Sequence, residues 1–318
     1  MVNFWDHVRR YYSVYGLKAS LQLALQTIIG VKKDEIDTLY YLLNEYVDIT
    51  KLPPTRDANL RNLQLCELEL LRTFDILAQK ENIPYWLDGG TMLGAIRHKG
   101  FIPWDDDVDI CMLRENFDNL EKTIGGKLKL YDIHLIELGV GRMKQIVFQK
   151  EKTGIHIDIF PVDKCISDKN ADEQYYDFVK KIRNVYNYYK RNEKVMTNDS
   201  LAEYKTKIIP DVKNGQNVVL YHGPEFLRRN CLVSNESDYF PLKRAKFEQY
   251  EFNIPSVPSR FLTQFYGLQY MQFPHGGIKF HSDDGLRISD RGKINGINMY
   301  DVKYYLQHVA DELAESMV

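Results

Sequence analysis

Cysteine is scarce in this sequence. The four residues, Cys66, Cys111, Cys165 and Cys231, are widely separated and no two form a C-x-x-C pair. That spacing gives no disulfide framework and argues against a zinc site of the usual local pattern, and it fits a reducing compartment. An excess of one charge is also missing. Lys and Arg number 42 against 44 Asp and Glu, so the marked basic surplus of a general nucleic-acid binder is absent and nucleic acid is not an expected partner. No apolar run is long enough to span a bilayer. The opening stretch, MVNFWDHVRRYYSVYG, lacks the uninterrupted apolar segment and small-residue cleavage site of a secretory signal. A cytoplasmic protein is therefore expected, with contact at the cytoplasmic face of a membrane left open. There is no internal repeat and no low-complexity segment.

What the chain does have is material for a sizeable core. Its 318 residues are 44% hydrophobic, enough for one large domain or a domain with additions. Three regions are expected. Residues 1–55 read as a helical N-terminal extension, with apolar positions at helical spacing over Phe4–Ile29 and Asp34–Val47, closed by Pro53-Pro54. Residues 56–165 read as a mixed α/β core. It begins with a helix capped by Asp57 whose stripe is Leu63, Cys66, Leu70, Phe74 and Leu77. A short strand Tyr85–Leu87, a glycine turn, a short helix and strands near Asp107–Leu113, Leu130–Ile136, Lys144–Gln149 and Ile155–Phe160 follow. Residues 166–318 read as helical and irregular, opening with a long helix from Ala171 to about Lys194 and closing with one from Met299. This last region is expected to complete the cleft.

The chemistry is densest in DGGTMLGAIRHKGFIPWDDDVDI, Asp88 to Ile110. Asp107 and Asp109 alternate with Val108 and Ile110, so a strand would send both carboxylates from one face, about 7 Å apart along it. Carboxylates that close repel unless a cation lies between them. Magnesium, or manganese in its place, is the hard ion such a site would hold. Asp105 and Asp106 read equally well as site residues or as a solvated turn. Gly89, Gly90 and Thr91 lie between strand and helix, where backbone can approach a ligand and a helix N-terminus can face a phosphate. Arg97 and Lys99, at the end of that helix, either neutralise a diphosphate or cap the helix. Asp158, in HIDIFPVD, is a polar residue on an otherwise apolar strand and a candidate third carboxylate, as metal ligand, general base or both. His156 reads as structural and Asp163, beyond Pro161, as an ordinary loop aspartate.

The segments YWLDGGTMLGAIRHKGFIPWDDDVDICM, HIDIFPVD and YFPLKRAKFEQYEFNIPSVPSRFLTQFYG together resemble the LicD/fukutin-related family of phosphotransferases, over roughly Leu60 to Tyr270. The resemblance implies a nucleotidyltransferase-type fold, a mixed sheet flanked by helices. It also implies transfer of phosphocholine or a polyol phosphate from a CDP-activated donor onto a glycan with a divalent cation. By it, Gly89, Gly90 and Thr91 match the turn that holds donor phosphate, Arg97 and Lys99 match the basic positions after it, and Asp107, Asp109 and Asp158 match the metal carboxylates. The cysteine-rich insertion of the animal enzymes has no counterpart, and His275 and His281 receive no role. Two other readings stand beside this one: a nucleotidyltransferase that makes an activated sugar or alcohol from CTP, and a non-catalytic scaffold. The N-terminal aromatics Phe4, Trp5, Tyr11, Tyr12 and Tyr15, interleaved with Arg9, Arg10 and Lys18, suit either an interfacial helix, as a lipid-linked acceptor would favour, or a helix packed on the core.

Overall fold

The computed structural model describes residues 33–138, 143–149, 154–191, 205, 209, 215–222, 232–274, 288–289, 293–294 and 297–316. The helix expected over Phe4–Ile29 and its aromatic face lie outside the described residues, as do Cys231, His275 and His281. In chain order the first elements are α1 (Lys33–Tyr46), α2 (Ala58–Lys80), β1 (Tyr85–Leu87), α3 (Gly89–Arg97), β2 (Asp109–Leu113), α4 (Arg114–Leu120), α5 (Gly126–Lys129), β3 (Ile133–Leu138), β4 (Met143–Phe148) and β5 (His156–Ser167). Next come α6 (Ala171–Arg191), β6 (Asn217–His222), β7 (Leu232–Asn235), α7 (Glu236–Tyr239), β8 (Lys243–Phe247) and β9 (Tyr250–Ile254). The chain closes with α8 (Pro258–Tyr266), the short strands β10 (Ile288–Ser289), β11 (Lys293–Ile294) and β12 (Ile297–Asn298), and α9 (Met299–Glu315).

Helix α2 begins where its cap predicts. The Oδ1 of Asp57 accepts from the amides of Asn59 and Leu60 at 2.9 and 3.2 Å, satisfying two donors the helix cannot use itself. Asp57→Ala is expected to lower stability by about 1 kcal/mol, read as a lower urea midpoint at unchanged slope. The stripe Leu63, Cys66, Leu70, Phe74 and Leu77 is buried, and so are the polar Gln64, Glu67, Glu69, Thr73 and Asp75. The helix therefore runs through the interior, with the buried residues Val302, Leu306, Val309 and Leu313 on α9, which packs along it. Buried polar groups need partners. Asp75 has them: Arg244 donates twice, at 2.7 and 2.8 Å, and the Tyr85 hydroxyl donates a third bond. Glu69 accepts from the Tyr250 hydroxyl at 3.0 Å.

The fold is a mixed α/β one. Its seven-stranded sheet has the order β1-β2-β5-β4-β3, with β6 paired to β5 and β7 to β6. Only β2 and β5 run parallel; the other pairs are antiparallel. Strand β5 is longer than its sequence suggests. It passes through Pro161, which lies opposite Met112, and continues to Ser167, where β6 pairs with it. Asp163 is consequently a strand residue, not a loop one. Arg114 and Lys205 form ion pairs with its carboxylate, which together draw its pKa below the usual range against the opposing effect of burial. The partner strand that extends β5 comes from more than 50 positions downstream, which is why local reading ends the strand at the proline. Among the described residues, no helix is long and apolar enough to cross a membrane.

Candidate active site

The parallel pairing of β2 and β5 sets Asp109 directly opposite Asp158. Residues paired this way send their side chains from the same face, with Cβ atoms about 5 Å apart. The amide of Asp158 donates to the carbonyl of Val108 at 2.8 Å, so the pairing holds to the start of β2. Asp107 lies just before that strand instead of within it, yet the alternation survives: Val108 and Ile110 are fully buried, while Asp107 and Asp109 are half-buried. The sheet thus brings Asp107, Asp109 and Asp158 to one place.

The glycine turn meets the same place from above. Chain direction reverses after β1, Asp88 donates its amide to the carbonyl of Asp109 at 2.9 Å, and α3 begins. Gly89 has φ +48°, and a Cβ there would lie 2.5 Å from Oδ2 of Asp109. At Gly90 a Cβ would lie 2.6 Å from Oδ2 of Asp105. The two glycines are needed because two carboxylates occupy the space a side chain would take. The Thr91 hydroxyl accepts from the amide of Asp109 at 2.9 Å, tying α3 to β2. Gly89→Ala is expected to cost about 1–2 kcal/mol through its left-handed backbone alone. The clash would also swing the Asp109 carboxylate aside, so the loss, read as a lower melting temperature, should exceed that figure.

The loop carrying the acidic run is held from two sides. Gln64 on α2 donates to the carbonyl of Asp105 at 2.8 Å. Glu248, in the turn between β8 and β9, accepts from the amide of Phe101 at 3.2 Å and from both Arg61 nitrogens at 2.9 and 2.6 Å. This explains why the segment KRAKFEQYEF belongs with the first motif although it lies far along the chain.

Electrostatics at the site run one way. Burial pushes the Asp109 carboxyl well above the usual range, and the neighbouring charges of Asp107, Asp158, Asp88 and Asp105 push it further. Burial also raises Asp158; the His156 ring and a 2.7 Å hydrogen bond from Gln145 partly offset this, and Asp107 adds to it. Glu67, on α2, is fully buried and neither carboxyl oxygen has a hydrogen-bond partner. Burial raises its pKa well above normal, reinforced by Asp107, Asp106, Asp158 and Asp105. Tyr266 at the end of α8 faces the same charges: desolvation of its hydroxyl, then Asp105, Asp109, Asp88 and Asp107, raise its pKa. So many carboxyls, with orphaned oxygens among them, fit a divalent cation held by hard oxygen ligands.

Sequence reading misses Asp88, Glu67 and Tyr266. The signal for Glu67 was present: it stands four residues after Leu63 and four before Leu71, on the core face of α2. Asp105 is packed against Gly90, beside the other carboxylates. Arg97 and Lys99 are placed differently from a diphosphate clamp. They stand at the far end of α3, about 12 Å along the axis from Gly89. Arg97 is buried and donates to the carbonyls of Tyr270 and Gln272 at 2.8 and 3.3 Å, while Lys99 donates to the carbonyl of Ile96 at 3.1 Å. Both act there on backbone carbonyls, because a nine-residue helix carries its last turn well away from its first. His156 hydrogen-bonds the carbonyl of Gly154 at 2.8 Å, with its other ring nitrogen 3.6 Å from Asp158.

Comparison with known proteins agrees with this geometry. Residues 82–210 match the family model described as LicD/FKTN/FKRP, nucleotidyltransferase domain. The chain is 53% identical over 58 residues to the lipopolysaccharide cholinephosphotransferase LicD of Haemophilus influenzae, covering 18% of this chain and 22% of that protein. It is 32% identical over 160 residues to an uncharacterized protein of Rickettsia typhi, covering 44% of this chain and 50% of that one. Human ribitol 5-phosphate transferase FKRP is 47% identical over 45 residues, covering 14% of this chain and 9% of that protein. The matches thus span half or less of each of these relatives. The segment that carries the glycine turn, the acidic run and strand β5 is accordingly a nucleotidyltransferase domain of the LicD/fukutin-related family.

Proposed function

We propose that this chain transfers a substituted phosphate group, phosphocholine or a related alcohol or polyol phosphate, from a CDP-activated donor to a glycan hydroxyl. The observation that carries this reading is the register of β2 and β5, which pairs Asp109 with Asp158 beneath the Gly89 turn. The activities of the LicD and FKRP relatives, on lipopolysaccharide and with ribitol 5-phosphate, suggest the substrate class.

Asp107, Asp109 and Asp158 would hold magnesium. Bound there, the ion would neutralise charge that gathers on the leaving nucleotide phosphate. The first turn of α3 takes the donor phosphates. Its N-cap residue Asp88 makes no side-chain cap bond, so the leading amides remain available for an anion. Asp158 has the environment of a general base: its raised pKa suits proton acceptance, and Gln145 fixes one of its oxygens at 2.7 Å. The acceptor oxygen forms a bond to the distal phosphorus as its proton passes to Asp158, and the bond from phosphorus to CMP breaks. The reading keeps a cytoplasmic location, and a lipid-linked glycan is the acceptor that would make use of an interfacial N-terminal segment.

A mass-spectrometric screen tests the reading, with magnesium, CDP-choline, CDP-ethanolamine, CDP-ribitol and CDP-glycerol, and candidate oligosaccharides. CMP release coupled to a mass gain on the glycan is expected from one donor. Pyrophosphate release from CTP would instead favour a nucleotidyltransferase, and no product from any donor would favour the scaffold.

A further inference from the structure

A second cluster lies beside the carboxylates and uses side chains that the phosphotransfer reading does not. Asp88, at the start of α3, Cys111, on β2, and His222, at the end of β6, come from three separate elements. Their ligand atoms all lie within 4.8 Å of one another. Nε2 of His222 is 3.2 Å from Sγ of Cys111 and 3.2 Å from Oδ2 of Asp88. One nitrogen thus faces both partners. A relay through an imidazole would employ its two nitrogens on opposite sides, so the geometry is convergent and not a chain. Exposure is 4% for Asp88, 0% for Cys111 and 8% for His222, which leaves little room for water to serve these groups. The second carboxyl oxygen of Asp88 has no hydrogen-bond partner.

We propose that Asp88, Cys111 and His222 form a binding site for a zinc ion. Bond lengths to zinc of about 2.0–2.3 Å in a tetrahedron place neighbouring ligand atoms roughly 3.4–3.6 Å apart. The two separations of 3.2 Å from His222 need only a few tenths of an ångström of opening to reach that spacing, and the third, between Asp88 and Cys111, lies within 4.8 Å. The charges close as well. A thiolate and a carboxylate balance a dication, and a neutral imidazole completes the set, so the occupied site is neutral in a buried setting. The soft sulfur ligand excludes magnesium and separates this site from the oxygen-lined one at Asp107, Asp109 and Asp158. Three protein ligands leave a fourth position in the tetrahedron. The cysteine spacing hides such a site, because each ligand comes from a different element and no two are near in sequence.

The proposal stands independently of the transferase reading, and its test reads metal, not turnover. The full-length chain, purified without chelator, is expected to carry on the order of one zinc per molecule by elemental analysis, retained against excess magnesium. In Cys111→Ser and His222→Gln the zinc content should fall by more than about tenfold. Cobalt added to metal-stripped wild-type protein should give a thiolate-to-metal charge-transfer band that Cys111→Ser lacks. If the variants fail to fold, the wild-type cobalt titration decides alone: the band supports the site. A wild-type chain that takes up neither zinc nor cobalt overturns it and leaves the three residues as a buried hydrogen-bonded cluster.

Discussion

Asp109→Asn is expected to reduce turnover by about 10³-fold or more while leaving the metal-free protein at least as stable as the parent. The two effects have one cause. Asp109 is crowded by other carboxyls, with Asp107, Asp158, Asp88 and Asp105 all raising its pKa beyond what burial does. Its negative charge is unfavourable until a cation arrives, so an amide of equal size relieves repulsion in the empty site and removes a ligand from the full one. The amide would find acceptors in the same neighbouring carboxylates. Kinetics at saturating magnesium and melting curves in chelator check the pair of outcomes. Near-normal turnover would sink the assignment of Asp109, and a large drop in metal-free stability would show that the side chain has a structural task instead. Asp163→Asn provides the contrast. That carboxylate is already matched by Arg114 and Lys205, so its loss should destabilise the fold, leaving two cations without their partner.

Much of this site could be read from the chain because its parts are local. The α2 cap, the glycine turn and the alternation from Asp107 to Ile110 each depend on residues within a few positions of one another, and each appears in the structure where local rules place it. What escaped reading depends on partners far away. The extension of β5 past Pro161 needs β6, and the gathering of acidic residues around Glu67, whose core-facing position alone is local, needs the loop that carries Asp105 to Asp107. Arg97 shows the reverse error. Its position after a phosphate-facing turn suggests a ligand contact, but helix rise carries it away and the carbonyls of Tyr270 and Gln272 occupy it. The juxtaposition of Cys111 with His222 is entirely tertiary.

The stability of the metal-free protein is expected to fall as pH rises through the range above the ordinary carboxyl values. Glu67, Asp109 and Asp158 are all raised in the folded state, from values of 4.5, 3.8 and 3.8. Between those values and the higher folded ones, the native chain holds more protons than the unfolded chain. The linkage slope is therefore negative: the contribution is fully present below the unfolded values and is lost as pH climbs through the folded ones. Each carboxyl removes about 1.4 kcal/mol per pH unit while the pH lies between its unfolded and folded values. Asp163, held low by Arg114 and Lys205, acts oppositely; its contribution is present above 3.8 and lost as pH falls through its folded value, so it shapes only the acid end. Magnesium should reverse the trend, because binding requires the protons to leave and becomes tighter as pH rises. Melting temperatures from about pH 5 to about pH 8, in chelator and in magnesium, should diverge steadily, with the gap widest at the alkaline end. Parallel curves would mean that the carboxyls of Asp109 and Asp158 do not share one ion. In Asp109→Asn the divergence should shrink, because a carboxyl that its neighbours push upward is then absent from the titration and from the ligand set alike.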